Sequence, residues 1–172
     1  FNSIGIQSAG GAGKALSEWI VNGHPPLDLW DVDIRRFHPF QINASYLKER
    51  PEETLGLLYA MHWPFQQPET SRGVRKSVLH ERLEKAGACF GERCGWERPN
   101  WFAPEGMEAR YEYSFARQNW FDASAAEHHA AREKVALFDM SSFAKFMVQG
   151  HDAEKVLNRI CANDVAVSSG KA

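Results

Sequence analysis

With 172 residues and a formal net charge of −2, the chain lacks the basic surface of a nucleic-acid-binding protein. Hydrophobic residues make up 44% of it and aromatic residues 12%, which is enough to build a core and argues against a disordered chain. No apolar run reaches the roughly 18 residues of a membrane span, and the first residues lack the basic and apolar regions of a signal peptide. We therefore expect an ordered chain of one domain or two small ones.

The N-terminal stretch predicts a short strand, a glycine-rich turn and an amphipathic helix, in that order. Ile4 and Ile6 alternate with Gly5, as in a strand. A helix is predicted over 11–22, because the apolar residues repeat there with a helical period, and Gly23 favours its end. Glycines weaken a helix, so a cluster of them at its start indicates that something approaches the backbone closely. The cluster comprises Gly10, Gly11 and Gly13.

This turn predicts an anion site, because a helix start offers free N–H groups and the positive end of the helix dipole. The P-loop pattern does not fit, since Ser8 stands where its first glycine belongs and Ala15 replaces its Ser or Thr. The dinucleotide fingerprint also fails, because Leu16 occupies the position of its third glycine. From the residues alone, a ligand site and a turn that lets a strand and a helix pack tightly both stay open.

The middle of the chain predicts helices and one strand. Residues 30–37 alternate apolar and charged side chains, which is typical of an edge strand or an extended connector. Pro51 favours the start of a second helix inside the range of helical character that covers residues 44–60. Alternation over 88–96 predicts a strand, and an aromatic-rich connector then continues to Phe102. The ranges of helical character are 44–60 and 75–86.

Several reactive side chains in this region have two interpretations each. His62, beside Trp63, is either catalytic or part of a packed aromatic corner. Arg72, Arg75 and Lys76 either hold a phosphate or carboxylate or form a solvated helix start. The cysteines offer no second pair for a zinc site and are predicted to be free thiols. These cysteines are Cys89, Cys94 and Cys161.

The last third of the chain begins with a predicted helix over 124–136. Ser124 and Glu127 have the spacing of a capping box, which favours a helix start there. His128 and His129 are neighbours on this helix, so their side chains point about 100° apart and are poorly placed to bind one metal ion. No metal site is predicted.

A strand and a further helix are predicted after it. Residues 145–149 have strand character, and Asp152 is a suitable cap for a helix over 152–161. Asn163 would then take the left-handed conformation that ends a helix. Asp164 follows it, and on its pattern alone it would close a turn.

Three groups of short strings in the chain resemble one known protein family. FNSIGI, AGGAGK, LSEWI and GHPPLDL, in this order, resemble the closing segment of the FAD domain in the dimethylglycine and sarcosine dehydrogenase family. GWERPNWF is similar to a string between the middle domain and the folate domain of that family. FDMSSFAKF, GHDA and NDV resemble the opening of the folate-binding domain shared with the glycine-cleavage aminomethyltransferases.

This resemblance implies an α+β chain in three pieces, excerpted from a longer protein. Residues 1–37 would be the C-terminal segment of a flavin-binding domain, and 38–104 a small middle domain. Residues 105–172 would be the N-terminal part of an aminomethyltransferase-like folate-binding domain. The implied location is the cytoplasm for a bacterial protein and the mitochondrial matrix for a eukaryotic one.

The resemblance also implies a reaction with FAD and tetrahydrofolate as cofactors. An N-methylated amino acid would give hydride to flavin N5, and tetrahydrofolate would capture the one-carbon unit. Electrons would pass to a flavoprotein or to oxygen. Asp164 would act as a catalytic base near the pterin-linked N10 of the folate. The residues implied to face the flavin are Gly5, Ile6, Gly10, Gly11 and Gly13.

An alternative from another class stays open within the same resemblance. The regulatory subunit of pyruvate dehydrogenase phosphatase looks like this family throughout, yet it is an interaction protein. A third interpretation is a plain globular fragment whose ligand sites do not survive excision.

Overall fold

Five α-helices and one two-stranded antiparallel sheet form the regular structure of the described residues, 4–58, 60 and 66–170, in the computed structural model. Helices and a sheet occur together, so the predicted mixed α+β content is confirmed. The helices are α1 (Gly5–Asn22), α2 (Ala44–Leu57), α3 (His80–Lys85), α4 (Phe121–Glu133) and α5 (Ala153–Ile160). The strands are β1 (Ala88–Arg93) and β2 (Trp96–Phe102).

The chain divides into two compact units, Phe1–Ser141 and Ser142–Ala172. The first contains the sheet and four of the helices, and the second contains α5. Within the part of the chain that is described, every helix is too short or too polar to traverse a bilayer.

The sheet is a hairpin whose turn is Cys94-Gly95. Both turn residues have positive φ, 52° and 79°, as a two-residue hairpin turn of the primed type requires. Arg93 pairs with Trp96 across the turn. The sequence analysis predicted a connector where β2 lies, and this prediction was wrong because the left-handed turn reverses the chain one residue before the expected strand end.

The most deeply buried side chains lie on this hairpin. Trp101 is 1% exposed, and its partner in the strand register, Cys89, is 3% exposed. Helix α4 packs against β2, where the Phe102 N–H donates to Glu127 Oε1 at 2.7 Å. Glu127 is therefore committed to the hairpin, and the predicted capping box with Ser124 does not form: α4 begins at Phe121, and Ser124 lies inside it.

Helix α1 begins earlier than predicted, at Gly5 instead of residue 11. A strand needs a partner for its backbone groups, and the sheet of the described residues has only β1 and β2. In the helix, backbone carbonyls from Ile4 onward accept N–H groups instead, the first of them from Ser8. Its predicted end is confirmed: Gly23 has φ +75°, and its N–H donates to Trp19 O at 2.9 Å.

The segment 30–37 forms two short 3₁₀ helices, Trp30–Val32 and Ile34–Arg36, rather than a strand. Asp33 separates them and caps the second, since its carboxylate accepts the Arg35 N–H at 2.8 Å. The Arg35 side chain and backbone N–H hold the pKa of this carboxyl below its ordinary value.

Helix α2 runs through Pro51, so the predicted second helix start was wrong. Pro51 removes one hydrogen bond, but the flanking turns continue.

Helix α3 begins at His80 and not near residue 75, because Arg75 pairs with the hairpin instead. The Arg75 N–H donates to Gly95 O at 3.0 Å, and the Arg75 carbonyl accepts the Glu97 N–H at 2.8 Å.

In the second unit, α5 confirms the predicted helix to within one residue at each end. Asp152 precedes it, but its side chain accepts no capping hydrogen bond. Residues 145–149 form no strand. Asn163 does not take the left-handed conformation; the helix ends instead at Cys161, which is extended with ψ 150°.

Candidate functional site

The N-terminus of α1 places two of the predicted flavin-facing residues, Gly5 and Ile6, before the first hydrogen bond of the helix. The first intrahelical bond runs from the Ser8 N–H to Ile4 O at 3.0 Å. The N–H groups of Gly5, Ile6 and Gln7 precede it and have no partner in the helix ladder. No acidic side chain occupies the first turn, so the positive end of the helix dipole is not compensated there.

The other three predicted glycines lie one to two turns further along α1. Their amides belong to the helix, so the expectation that the glycines form the helix start was wrong. A Cβ placed on Gly10, Gly11 or Gly13 would meet no atom within 4 Å. The helix therefore presents bare backbone on this surface, and nothing in the described residues covers it.

The apolar side chains of α1 are also largely uncovered. Leu16 is 57% exposed and Ile20 is 74% exposed, and the helix contains no buried residue. One contact that reaches the helix is the Arg35 guanidinium, 5.6 Å from the centre of the Trp19 ring.

Asp164 lies in the second unit, in the exposed segment that follows α5. Its Oδ1 accepts the Ala166 N–H at 2.9 Å, and Asn158 Oδ1 accepts the Val165 N–H at 2.7 Å. These bonds hold the turn in shape. They engage one carboxylate oxygen of Asp164, whose side chain belongs to an exposed residue.

The glycines of α1 and Asp164 belong to different units. Each predicted site is therefore described by itself, as a backbone donor group on α1 and a carboxylate after α5.

Two ion pairs that sequence reasoning missed lie beside the hairpin. Arg72 Nε donates to Glu97 Oε1 at 2.9 Å, and Arg50 Nη1 donates to Glu92 Oε2 at 2.8 Å. The Glu97 side chain is only 5% exposed, and those of Arg50 and Glu92 are 13% and 14% exposed. Arg72 was considered as an anion ligand from the sequence, but its guanidinium is occupied.

Glu97 remains ionised despite its burial. Burial alone would raise the pKa of this carboxyl, but hydrogen bonds from the Arg72 side chain and the Gly73 N–H outweigh it and hold the pKa below its ordinary value. The Glu97 carboxylate in turn raises the pKa of Arg72. The pair is therefore a fixed structural element and holds no proton to transfer near neutral pH.

Two cavities open beside these pairs. A cleft of about 690 Å³ lies between the 3₁₀ segments, α2 and the hairpin turn, with Tyr46 and Arg50 in its wall. A smaller one, of about 270 Å³, is lined by Cys89, Tyr111 and Tyr113 among others. Burial raises the pKa of all three of these groups, so the thiol and both phenols stay protonated and none is an activated nucleophile.

The remaining reactive side chains have structural partners or form no site. All three cysteines are free, as predicted. His128 Nδ1 lies 2.7 Å from Ser124 O within α4. Among the described residues, no group of three or more His, Cys, Asp or Glu side chains could hold a metal ion. His62 lies outside the described residues.

Two family models match the chain, one after the other. The model described as FAD dependent oxidoreductase central domain matches residues 22–77. The model described as GCVT N-terminal domain matches residues 79–172.

Relatives match the chain from end to end. The 4-methylaminobutanoate oxidase (formaldehyde-forming) of Paenarthrobacter nicotinovorans is 52% identical over 172 residues, which is 100% of this chain and 21% of that protein. The mitochondrial pyruvate dehydrogenase phosphatase regulatory subunit of Mus musculus is 36% identical over 174 residues, 98% of this chain and 20% of that protein. The mitochondrial sarcosine dehydrogenase of Homo sapiens is 35% identical over 195 residues, 99% of this chain and 21% of that protein. The chain thus spans about a fifth of the length of the relatives it matches.

Proposed function

We propose that the chain is the part of an N-methyl amine dehydrogenase or oxidase in which the FAD-dependent oxidoreductase central domain meets the GCVT domain. The chain belongs to the family of FAD-dependent oxidoreductases that carry a GCVT domain. The substrate would be a small N-methylated amino acid, and tetrahydrofolate would receive the one-carbon unit. The observation that supports this most is the order of the two family matches within one chain, 22–77 and then 79–172.

The flavin side of the proposal rests on α1. The free N–H groups at its first turn suit an anionic edge of a bound ligand, and the flavin pyrimidine edge gains negative charge on reduction. Bound FAD supplies the two-electron oxidation of the N-methyl C–H bond. The role of Gly10, Gly11 and Gly13 would be to keep side chains away from the approaching ring, which agrees with the open space around them.

The folate side of the proposal rests on Asp164. Its Oδ1 accepts the Ala166 N–H, which fixes the carboxylate in its turn. With folate bound, this carboxylate would accept the amine proton and offset positive charge during capture of the one-carbon unit. Asp164 is therefore proposed as the general base of one-carbon capture and not of amine oxidation.

The names of the relatives bear on two details of the proposal, the electron acceptor and the location in the cell. One relative is named an oxidase and another a dehydrogenase, so oxygen and a flavoprotein are both proposed as electron acceptors. The relatives from mouse and human are named mitochondrial. A mitochondrial location is accordingly proposed for a eukaryotic source and a cytoplasmic one for a bacterial source.

A second candidate function is regulation without catalysis, because the phosphatase regulatory subunit also matches 98% of the chain. The complete protein in which the chain occurs separates the two. An enzyme should be yellow as purified, and under anaerobic conditions 4-methylaminobutanoate, sarcosine or dimethylglycine should bleach its flavin absorbance without added acceptor. A protein whose flavin, if any, is bleached by none of the three amines would support the regulatory candidate and contradict the enzyme.

A further inference from the structure

The tip of the β1–β2 hairpin is in tight contact with Phe40, more than 50 positions earlier in the chain, and with Arg75. A Cβ on Gly95 would overlap the Phe40 ring, so the turn packs on that ring without space for a side chain. The Arg75 guanidinium is stacked between this ring and the hairpin: it lies 5.6 Å from the centre of Phe40 and 5.2 Å from that of Trp96. The turn therefore packs against Phe40 and Arg75 of the 38–77 segment, a name that here covers only its described residues, 38–58, 60 and 66–77.

The flank of the hairpin is joined to the same segment by charge. Glu92 binds Arg50, and Glu97 binds Arg72, with three of these four side chains less than 15% exposed and Arg72 at 27%. Glu92 also accepts the Gly95 N–H through its second oxygen, at 2.5 Å, so one carboxylate fixes both the turn and the segment. Separating the hairpin from the segment would leave buried charges unpaired, which costs far more than losing a surface pair.

The hairpin is also joined to the residues that follow it. Asn100 Nδ2 donates to the Tyr111 hydroxyl at 2.6 Å, and the Phe102 N–H donates to Glu127 Oε1 of α4 at 2.7 Å. The hairpin therefore contacts both the segment that precedes it and helix α4.

We propose that the hairpin is a rigid adaptor that folds with the 38–77 segment and positions helix α4 relative to that segment. The two family matches are then not joined by a hinge at residue 78. Glu92 and Glu97 are positioning residues in this adaptor. The proposal stands on these contacts and is independent of the activity proposed above. It predicts that 68–77 and 88–102 open together in native-state hydrogen exchange.

The test is hydrogen exchange on the whole chain with Gly95→Ala, and Gly106→Ala as its matched control. Both glycines have positive φ, +79° and +84°, so both substitutions add the same backbone strain. Only Gly95 has a ring in the space of the new Cβ, because Gly106 has no atom within 4 Å. Gly95→Ala should speed exchange by about tenfold or more in both 68–77 and 88–102, whereas Gly106→Ala should leave both ranges unchanged.

Glu97→Gln supplies a milder second variant in case Gly95→Ala unfolds the whole chain. It should speed exchange in the same two ranges by about tenfold or more, because Arg72 loses its charged partner, and should leave α1 unchanged. Faster exchange in 88–102 with unaltered exchange in 68–77, in either variant, would show that the hairpin opens alone and would overturn the proposal. Unaltered exchange in both ranges with Glu97→Gln would overturn it as well.

Discussion

The β1–β2 hairpin and helix α1 differ in how far their side chains are buried. The hairpin buries Trp101 and the Glu97 carboxylate against its own neighbours, whereas α1 buries none of its residues. The hairpin therefore obtains its stability from contacts within the chain. Helix α1 has an open glycine surface and exposed Leu16 and Ile20, which are the features of a surface that acts through a partner or ligand.

The largest expected effect that tests this contrast is Trp101→Ala, which should lower the free energy of unfolding by about 3–5 kcal/mol because it empties the most buried site. Trp101 is 1% exposed and Ile6 of α1 is 99% exposed. Ile6→Ala is the control and should stay within about 0.5 kcal/mol. Urea denaturation of both variants measures the difference. Similar losses in the two variants would break the contrast.

A second, smaller effect is expected from Glu97→Gln. Its loss should be roughly 2–3 kcal/mol, below the ~3–5 kcal/mol of a fully buried pair because Arg72 is 27% exposed. Glu112→Gln is the matched control: Glu112 also pairs with an arginine, Arg110, but both side chains are more than half exposed. Chemical denaturation should show no measurable change for Glu112→Gln, and equal losses in the two variants would show that the burial of Glu97 is without consequence.

The same carboxylate predicts a dependence of stability on pH. The pKa of Glu97 lies below its ordinary value of 4.5, so the folded state binds fewer protons than the unfolded state as the medium becomes acidic. Its contribution is fully present above the ordinary value and is lost as the pH falls through the lowered folded value. The difference in stability between the native chain and Glu97→Gln should therefore shrink over this acidic range. A difference that stays constant from pH 7 to about pH 3 would contradict the lowered pKa.

The smallest effect is expected in α1. Gly11→Ala should raise the stability of this exposed helix by about 0.5–1 kcal/mol, since alanine favours helix over glycine and no atom lies within 4 Å of the new Cβ. Circular dichroism during thermal unfolding of the chain measures it. A loss of helicity would mean that the open surface seen around Gly11 is occupied in solution.

The sequence predicted the elements whose signals are local. The end of α1 at Gly23 and the span of α5 follow from a left-handed glycine and an apolar period, and both are confirmed. The strand at Ile4 was wrong because strand pairing depends on residues elsewhere. The hairpin was missed because Cys94 is an uncommon residue for a left-handed turn.

The buried ion pairs could not be predicted from spacing. Glu97 lies 25 positions from Arg72, and Glu92 lies 42 positions from Arg50, so no helical or strand period relates them. The candidate sites were identified through family resemblance, and their roles in binding flavin and folate stay predictions. The structure adds three observations: amides before Ser8 that lie outside the helix ladder, glycines that no described residue covers, and an Asp164 carboxylate with one oxygen engaged.

The measurement that tests the proposed division of labour most directly compares Gly11→Val and Asp164→Asn in the complete protein. Both free formaldehyde and methylenetetrahydrofolate are quantified in the same reaction with an N-methylated amino acid. Gly11→Val should lower flavin occupancy or hinder flavin reduction, and both products should fall together. Asp164→Asn should leave amine oxidation intact and reduce methylenetetrahydrofolate by about 10²–10⁴-fold, with formaldehyde released in its place. If oxidation and folate capture fall together in Asp164→Asn, Asp164 only closes its turn, and the proposed separation of the two steps is contradicted.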